Sequence, residues 1–245
     1  MKKIFVLFII IITSSSFAQD NIYIYFDSEN GQIENFYIHN NVGIFKLSQS
    51  AELESIILGK FKPLQILTAI NDYENNRMKK VFSLAGIEMA MYSLREINYP
   101  DKYSNLPDFI KDLPNNINGI KIEYYANHYD DETVKGKIKS VGDVKLDYYK
   151  DYFLPDAIKG KVRRIAKIKF SLLNEYFRPE VIGKVAQVGA IKIKYYHSYL
   201  HEELNGKVTQ LGNYKIIYFE DEFDNKHYGQ FNKMIGNDNR FILLQ

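Results

Sequence analysis

The second half of this chain consists of a repeat of about 23 residues, and this repeat restricts the possible folds more than any other feature of the sequence. Four consecutive blocks share a leading glycine, and these glycines recur at nearly equal intervals. They are Gly136, Gly160, Gly183 and Gly206. An incomplete block begins at Asn118 and a degraded block begins at Gly229, so the array covers residues 118–245. A period of this length is typical of small structural units that stack on their neighbours.

Each block has the pattern of two short strands joined by a tight turn. In residues 191–196 apolar and polar side chains alternate, which places Ile191, Ile193 and Tyr195 on one face of a strand. Between the strands, a glycine stands where a two-residue type II′ turn requires a positive φ. These glycines are Gly142, Gly189 and Gly212. One block has Ala166 instead, which predicts strain or a different loop at that turn.

The first strand of each block departs from regular alternation. Its two apolar positions, such as Val185 and Val188, are separated by two other residues. In a regular strand two such side chains would point to opposite faces. We therefore expect either a β-bulge in this strand or a strand that is buried at one end only.

Two architectures fit such a repeat, and a lysine shared by the blocks distinguishes them. It occurs as Lys121, Lys145, Lys169, Lys192 and Lys215. In a parallel β-solenoid these lysines would stack about 4.8 Å apart in a column of like charges. In an antiparallel meander they would lie on every second strand, about 10 Å apart, where water and salt screen the repulsion. The sequence therefore predicts an all-β fold, an antiparallel meander of tandem β-hairpin repeats in a single or curled sheet.

Residues 19–117 diverge from the repeat. We predict that this N-terminal part consists of strands, degenerate repeats or a cap, and that it can include some helix. Residues 21–27 and 42–48 have the composition of lone strands. Residues 80–92 fit either a degenerate β repeat or an amphipathic helix, and we favour the β repeat. Leu64 and Ile66 would belong to a further copy, one repeat length earlier. Three prolines between residues 98 and 119 mark a boundary or a long loop.

Residues 1–18 have the three parts of a secretory signal peptide. Lys2 and Lys3 precede an unbroken apolar run over residues 4–12, and small residues at Ser16 and Ala18 suit a signal peptidase. We expect cleavage after Ala18 and export to the periplasm, the cell surface or the exterior. The apolar run is too short to span a bilayer as a helix. No later apolar run approaches the length that a membrane-spanning helix needs, so we expect no transmembrane segment in the mature chain. The chain has no cysteine, which excludes disulfides and cysteine-based metal sites.

The repeat unit can be compared with known repeats. Its pattern, Gly-Lys-Val/Ile followed by a turn glycine and then Lys-Ile-x-Tyr-Tyr, resembles the short tandem β-hairpin repeats of exported bacterial proteins of unknown function. It is more distantly similar to MORN-type repeats in length and hairpin form. The resemblance covers residues 118–245 and implies an architecture rather than an activity.

Few residues have the spacing of a catalytic or metal site. His197 and His201 have the i, i+4 spacing of some zinc sites, but they lie between repeats and lack the His-Glu-x-x-His order, so we assign them to solvated loops. The acidic clusters at residues 130–132 and 220–224 lack the spacing of a calcium loop, and we interpret them as solvated turns. No catalytic residue, metal site or cofactor is predicted from the sequence motifs.

The remaining candidate is a surface on the repeats. Between residues 135 and 219 basic side chains outnumber acidic ones by about two to one, so the array is basic. One face of the sheet should carry the lysine row together with Tyr125, Tyr149 and Tyr196, a combination that can bind a glycan or a polyanion. The same side chains could instead serve only cross-strand pairing and solubility. Nucleic acid is disfavoured by the export signal.

The sequence therefore favours an exported, non-enzymatic scaffold or binding module at the cell envelope. The alternative hypothesis is a secreted or periplasmic hydrolase acting on an envelope or exogenous polymer, which would need two carboxylates facing each other in a cleft about 5–10 Å apart.

Overall fold

The computed structural model of the chain describes residues 21–84, 87–93, 96–100, 107–221 and 227–245. The predicted signal peptide, residues 1–18, lies outside the described residues. Within them, two β-sheets account for most of the regular structure. Neither of the helices described below has the length and hydropathy needed to cross a bilayer.

The first sheet is formed mainly by the N-terminal part of the chain. Its strands are β1 (Asn21–Asp27), β2 (Gln32–His39), β3 (Gly43–Ser48), β4 (Leu53–Leu58), β5 (Lys79–Leu84), β6 (Ile87–Met91) and the C-terminal β19 (Ile242–Leu244). The spatial order is β19-β1-β2-β3-β4-β6-β5. The helix α1 (Pro63–Glu74) connects β4 to β5. We call this seven-stranded sheet the N-terminal sheet.

The second sheet, here called the repeat sheet, has 12 strands. They are β7 (Ile97–Asn98), β8 (Asn116–Ile117), β9 (Ile120–Tyr124), β10 (Ile138–Val141), β11 (Val144–Tyr148), β12 (Val162–Ile165), β13 (Ile168–Leu172), β14 (Val185–Val188), β15 (Ile191–Tyr195), β16 (Val208–Leu211), β17 (Tyr214–Tyr218) and β18 (Phe231–Ile235). A short helix, α2 (Asp108–Lys111), lies between β7 and β8. Every strand pairs with its sequence neighbours, so the predicted antiparallel meander of hairpin repeats is confirmed.

The expected β-bulge is present in the first strand of the repeats. In β14, Val185 pairs with Leu172 and Gln187 pairs with Ser171, which leaves Ala186 without a partner in the ladder. The same register shift occurs where the other neighbouring repeats pair, between β9 and β10, β11 and β12, and β15 and β16. Because the extra residue reverses the alternation, both Val185 and Val188 are fully buried on the same side.

The bulge also leaves a backbone N–H that the repeat sheet does not use. Val162, Val185 and Val208 each donate this N–H to the N-terminal sheet. The acceptors are the carbonyls of Ala51, Gln49 and Gly31, at 2.9, 3.0 and 2.9 Å. Since a buried N–H without an acceptor is costly, each of these bonds ties one hairpin to a connection of the N-terminal sheet.

The main core lies between the two sheets. Phe36 of β2 meets Phe170 of β13 edge to face, with ring centroids 6.2 Å apart, and Phe26 meets Phe231 at the same distance. On the other face of the N-terminal sheet, Ile66 and Ile70 of α1 pack in a second cluster. The molecule therefore has three layers, and its repeat sheet has one face outside this core.

The N-terminal part corrects several predictions. Residues 79–84 and 87–91 form an antiparallel hairpin, which confirms strands rather than a helix there. The repeat copy expected at Leu64 and Ile66 is wrong, because these residues lie in α1. Pro63 begins that helix and the side chain of Gln65 accepts the N–H of Lys62, so local capping favours a helix. The strands at residues 21–27 and 42–48 are correct, but they are not lone strands.

The segment with three prolines was predicted to be a boundary or a long loop, but both of its ends form short strands. Ile97–Asn98 pairs with Asn116–Ile117 and extends the repeat sheet beyond the first recognised block. Residues 101–106 between them lie outside the described part of the chain.

The C-terminal segment joins the two sheets. After β18 the chain leaves the repeat sheet, and β19 pairs in parallel with β1. The buried carboxylate of Asp238 accepts the N–H of Asn213 at 2.9 Å and binds the guanidinium of Arg240, which donates to the carbonyl of Ala190 at 2.8 Å. This network ties two hairpin turns to the last crossing of the chain.

The turn at Ala166 is a direct test of backbone strain. Its φ is +49°, close to the +56° to +58° of Gly142, Gly189 and Gly212, so the alanine copy keeps the same two-residue turn and is strained. We expect Ala166→Gly to raise the free energy of unfolding by about 1 kcal/mol in urea titrations. The matched variant Gly189→Ala should lower the free energy of unfolding. Its new Cβ would only make an ordinary contact with Ile22 at 3.4 Å, so the loss would come from the strain of an alanine at positive φ. Equal stability of Ala166→Gly and the natural chain would contradict this account.

Acid should weaken the C-terminal network. Hydrogen bonds from Arg240 lower the pKa of Asp238 from 3.8 to about 2, so folding favours the charged carboxylate. The contribution of the Asp238 carboxylate to the free energy of unfolding is then complete above about pH 4 and is lost as the pH falls through 2. We expect the stability difference between the natural chain and Asp238→Asn to shrink by about 2 kcal/mol between pH 5 and pH 2 in urea titrations. A difference that is independent of pH would contradict the assignment.

Candidate functional site

The outer face of the repeat sheet, opposite the core, carries the repeated lysine. In β11 and β15 the apolar side chains point inward, and Lys145, Lys192 and Lys194 are exposed. All five members of the row, Lys121, Lys145, Lys169, Lys192 and Lys215, are exposed. They lie on β9, β11, β13, β15 and β17, every second strand, and are therefore spaced about 10 Å apart.

The residue directly across from each lysine is neutral or basic. Lys145 pairs with Ser140 and Lys169 pairs with Arg164, while Lys192 and Lys215 pair with glutamines. The cross-strand partner therefore does not neutralise these ammonium groups, although acidic and basic side chains often face each other across neighbouring strands.

The remaining charges make this face strongly basic. Besides the row, the pairing register and exposure place Lys139, Arg163, Arg164, Lys194 and Lys233 here. The acidic residues in the same register are Glu123 and Asp147. The ammonium of Lys121 hydrogen-bonds Glu123 at 2.5 Å and lowers the pKa of that carboxyl, and Asp147 lies 4.0 Å from Arg164. Positive charge is thus concentrated in the central hairpins.

The three tyrosines predicted for this site lie just beyond the strand ends. Tyr125 is buried, its hydroxyl donates to the carbonyl of Leu146 at 3.1 Å, and Lys139 and Lys150 each lie 5.8 Å from its ring centroid. The hydroxyl of Tyr149 donates to Phe170 at 2.6 Å, and that of Tyr196 donates to Glu220 at 3.4 Å. Burial raises the pKa of Tyr125 and Tyr149. The tyrosines thus tie each hairpin to the next and border the lysine row.

A second lysine of the repeat, in the Gly-Lys pair, was not recognised from the sequence as important. Lys184 is representative: its Nζ donates to the carbonyl of Gly206 and to Gln32, both at 3.0 Å, and lies 5.3 Å from the ring centroid of Tyr195. Lys137 and Lys207 repeat the contacts with the next glycine and with a buried tyrosine. Burial lowers the pKa of all three lysines. The Gly-Lys dipeptide in consecutive blocks was the available signal.

The loop histidines do not converge. His197 Nδ1 lies 3.6 Å from a carboxylate oxygen of Glu180, whereas His201 Nδ1 hydrogen-bonds the hydroxyl of Tyr228 at 2.9 Å. Asp131 accepts the N–H of Thr133 at 2.8 Å, as expected of an acidic turn. In the part of the chain that the structure describes, no group of three histidine, aspartate or glutamate side chains is arranged to hold a metal ion.

Carboxylates do approach one another on the N-terminal sheet. An open groove of about 580 Å³ is lined in part by Glu34, Lys46 and Glu54. Lys46 Nζ lies 3.6 Å from Glu54 and 3.0 Å from Glu74. Both carboxylates also accept hydrogen bonds, from Asn35 at 3.1 Å and from Tyr37 at 2.8 Å. The arrangement is an ion-pair network in which one oxygen of each carboxylate is engaged.

A comparison of the chain with protein-family models, with curated proteins and with solved structures finds no match. The resemblance to exported bacterial hairpin repeats and to MORN-type repeats therefore stays a prediction.

The two repeated lysines should differ in their effect on stability. Lys184→Met removes two hydrogen bonds and the contact with Tyr195, so we expect the free energy of unfolding to fall by about 1–2 kcal/mol. Lys192→Met changes an exposed side chain and should stay within about 0.5 kcal/mol. Urea titrations of both variants measure this, and equal losses would show that the half-buried lysine has no special structural role.

Proposed function

We propose that this protein is an exported, non-enzymatic binding module whose outer repeat face binds an extended anionic polysaccharide at the cell envelope. The observation that carries the proposal is the row of exposed lysines at steps of about 10 Å, with no acidic partner directly across from the central members. The signal-like N-terminus supports export.

A regular row of charges suits a polymer with regularly placed anions. One exposed lysine contributes little, about 0–1 kcal/mol, because water and salt screen it. Several contacts along one chain add up, since each bound unit raises the effective concentration of the next. A long polyanion should therefore bind well and its short fragments weakly, and added salt should weaken both.

The chemistry of the face also favours binding over catalysis. Ammonium, guanidinium and amide groups recognise carboxylate or sulfate groups through charge and hydrogen bonds. An exposed, strongly hydrated ammonium group is suited to ionic contacts with a polymer rather than to removing a proton from a substrate.

The alternative function, hydrolysis of an envelope or exogenous polymer, would use the groove beside Lys46. Its supporting observation is that Glu54, which lines this groove, and Glu74 both form ion pairs with the ammonium of Lys46. Polymer cleavage that is followed by reducing-end release and abolished by Glu54→Gln would favour this alternative. This alternative is less well supported than binding, because one oxygen of each carboxylate is already held by Lys46 and by a second hydrogen-bond donor.

Replacement of the lysine row tests the binding function. We expect Lys145→Gln, Lys192→Gln and Lys215→Gln together to weaken binding of the mature chain to polygalacturonate about tenfold, because three screened contacts are lost. Titration calorimetry at low and physiological salt measures the effect. The control replaces Lys60, Lys62 and Lys167, which are exposed outside the row, and changes the net charge equally. Equal losses in both triple variants, or none in either, would overturn the proposal.

A further inference from the structure

The loops that connect successive hairpins carry a second periodic feature. They cover residues 125–137, 149–161, 173–184 and 196–207 and follow every second strand of the repeat sheet. Aromatic rings at matching positions of these loops point into solvent. We call them the aromatic ladder, which consists of Tyr129, Tyr152, Phe153, Tyr176, Phe177 and Tyr199. Leu200 occupies the second position in the fourth loop.

These rings are exposed to an unusual degree. Phe177 is 97% exposed, Tyr129 is 95% exposed, and even Tyr176 is 71% exposed. Burying one such side chain would stabilise the protein by about 1.5–3 kcal/mol, so several exposed rings in one region forgo considerable stabilisation. Within one loop the rings also touch, as Tyr152 and Phe153 do with centroids 5.7 Å apart, and exposed apolar surface larger than a single side chain commonly marks a binding site.

The loops themselves are firmly attached. Each buries one aliphatic anchor shortly before the lysine of the Gly-Lys pair: Val134, Ile158, Val181 or Leu204. The backbone next to the rings is also bonded, since Asp151 accepts the N–H of Phe153 at 3.1 Å and Ser198 accepts that of Leu200 at 3.1 Å. Because the loops follow every second strand, successive steps of the ladder lie about 10 Å apart.

The charge around the ladder differs from that of the lysine row. The four loops contain acidic residues in every copy: Asp130, Asp131 and Glu132, then Asp151 and Asp156, then Glu175 and Glu180, then Glu202 and Glu203. Apart from the half-buried lysines of the Gly-Lys pairs, their basic residues are fewer, namely Lys135, Lys150, Lys159 and Arg178. With the Gly-Lys lysines included, the four loops hold nine acidic and eight basic residues, so this edge is close to neutral and lacks the excess of positive charge that would attract a polyanion. Its carboxylates can accept hydrogen bonds from hydroxyl groups.

We propose that the aromatic ladder is a second binding site, which takes an extended neutral polysaccharide. The apolar faces of sugar rings would stack on the tyrosine and phenylalanine rings, and sugar hydroxyls would donate to the acidic residues beside them. A polymer of identical units matches a ladder of evenly spaced steps, and several weak stacking contacts along it add up. The site is distinct from the lysine row and does not rest on the polyanion proposal.

Removal of the central rings is the first test. The mature chain is sedimented with insoluble cellulose, with chitin and with insoluble starch. We expect it to bind at least one of them, and the variant with alanine at Tyr152, Phe153, Tyr176 and Phe177 to bind at least tenfold more weakly. The glutamine variant of Lys145, Lys192 and Lys215 should bind as well as the natural chain. Leu64→Ala, which removes a 93% exposed side chain from α1, is the matched control and should have no effect.

Conservative changes separate stacking from a merely structural role. The rings are exposed, so thermal unfolding of the quadruple variant should match that of the natural chain. Phe177→Tyr should retain polysaccharide binding, and Phe177→Leu should weaken it, because only an aromatic face stacks on a sugar. Failure of the natural chain to bind any of the three polymers would overturn the proposal. So would equal binding by the quadruple variant, or a concentration-dependent dimer that this variant abolishes.

Discussion

The bulged strand of each hairpin, packed against the N-terminal sheet, is the contact on which the rest of this structure depends. A single hairpin cannot bury enough apolar surface to be stable in water. The bulge turns two valines of one strand to the same side and leaves an N–H free, which bonds to a connection of the facing sheet, as Val185 does to Gln49. Burial and hydrogen bonding therefore occur at the same point of three successive repeats, and they set which face of the repeat sheet is covered.

Because one face is covered, repetition produces two regular surfaces elsewhere. The lysine row stands on the outer face and the aromatic ladder stands at the loop edge, and both advance by two strands per repeat. The first is basic and the second is rich in carboxylates and exposed rings. Such a pair of surfaces suits extended polymers of different charge better than a small ligand, which would be held in a concave pocket. The half-buried lysine of the Gly-Lys pair joins neighbouring hairpins, as Lys184 does by donating to the carbonyl of Gly206.

Much of the repeat sheet could be predicted because it depends on short-range rules. Alternation in residues 191–195 predicted the buried face, the spacing of Val185 and Val188 predicted the bulge, and the turn glycines predicted positive φ. The lysines of the row are exposed in the structure. The aromatic ladder left a signal in the repeated Tyr-Phe pairs of residues 152–153 and 176–177, but period alone does not reveal whether a ring in a loop is buried or exposed. The helix at residues 63–74 was missed because spacing was given more weight than capping.

The sequence by itself determined the hairpin unit, its turn and its inward and outward residues, since these follow from backbone sterics and from the two-residue period of a strand. Only the tertiary structure decided that a second sheet covers the array, that β19 crosses to pair with β1, and that Asp238 ties the crossing to two turns. These contacts join residues far apart in the chain, such as Gly31 and Val208, and no local pattern specifies such partners. The choice depends on which apolar faces fit together and which buried N–H groups find an acceptor.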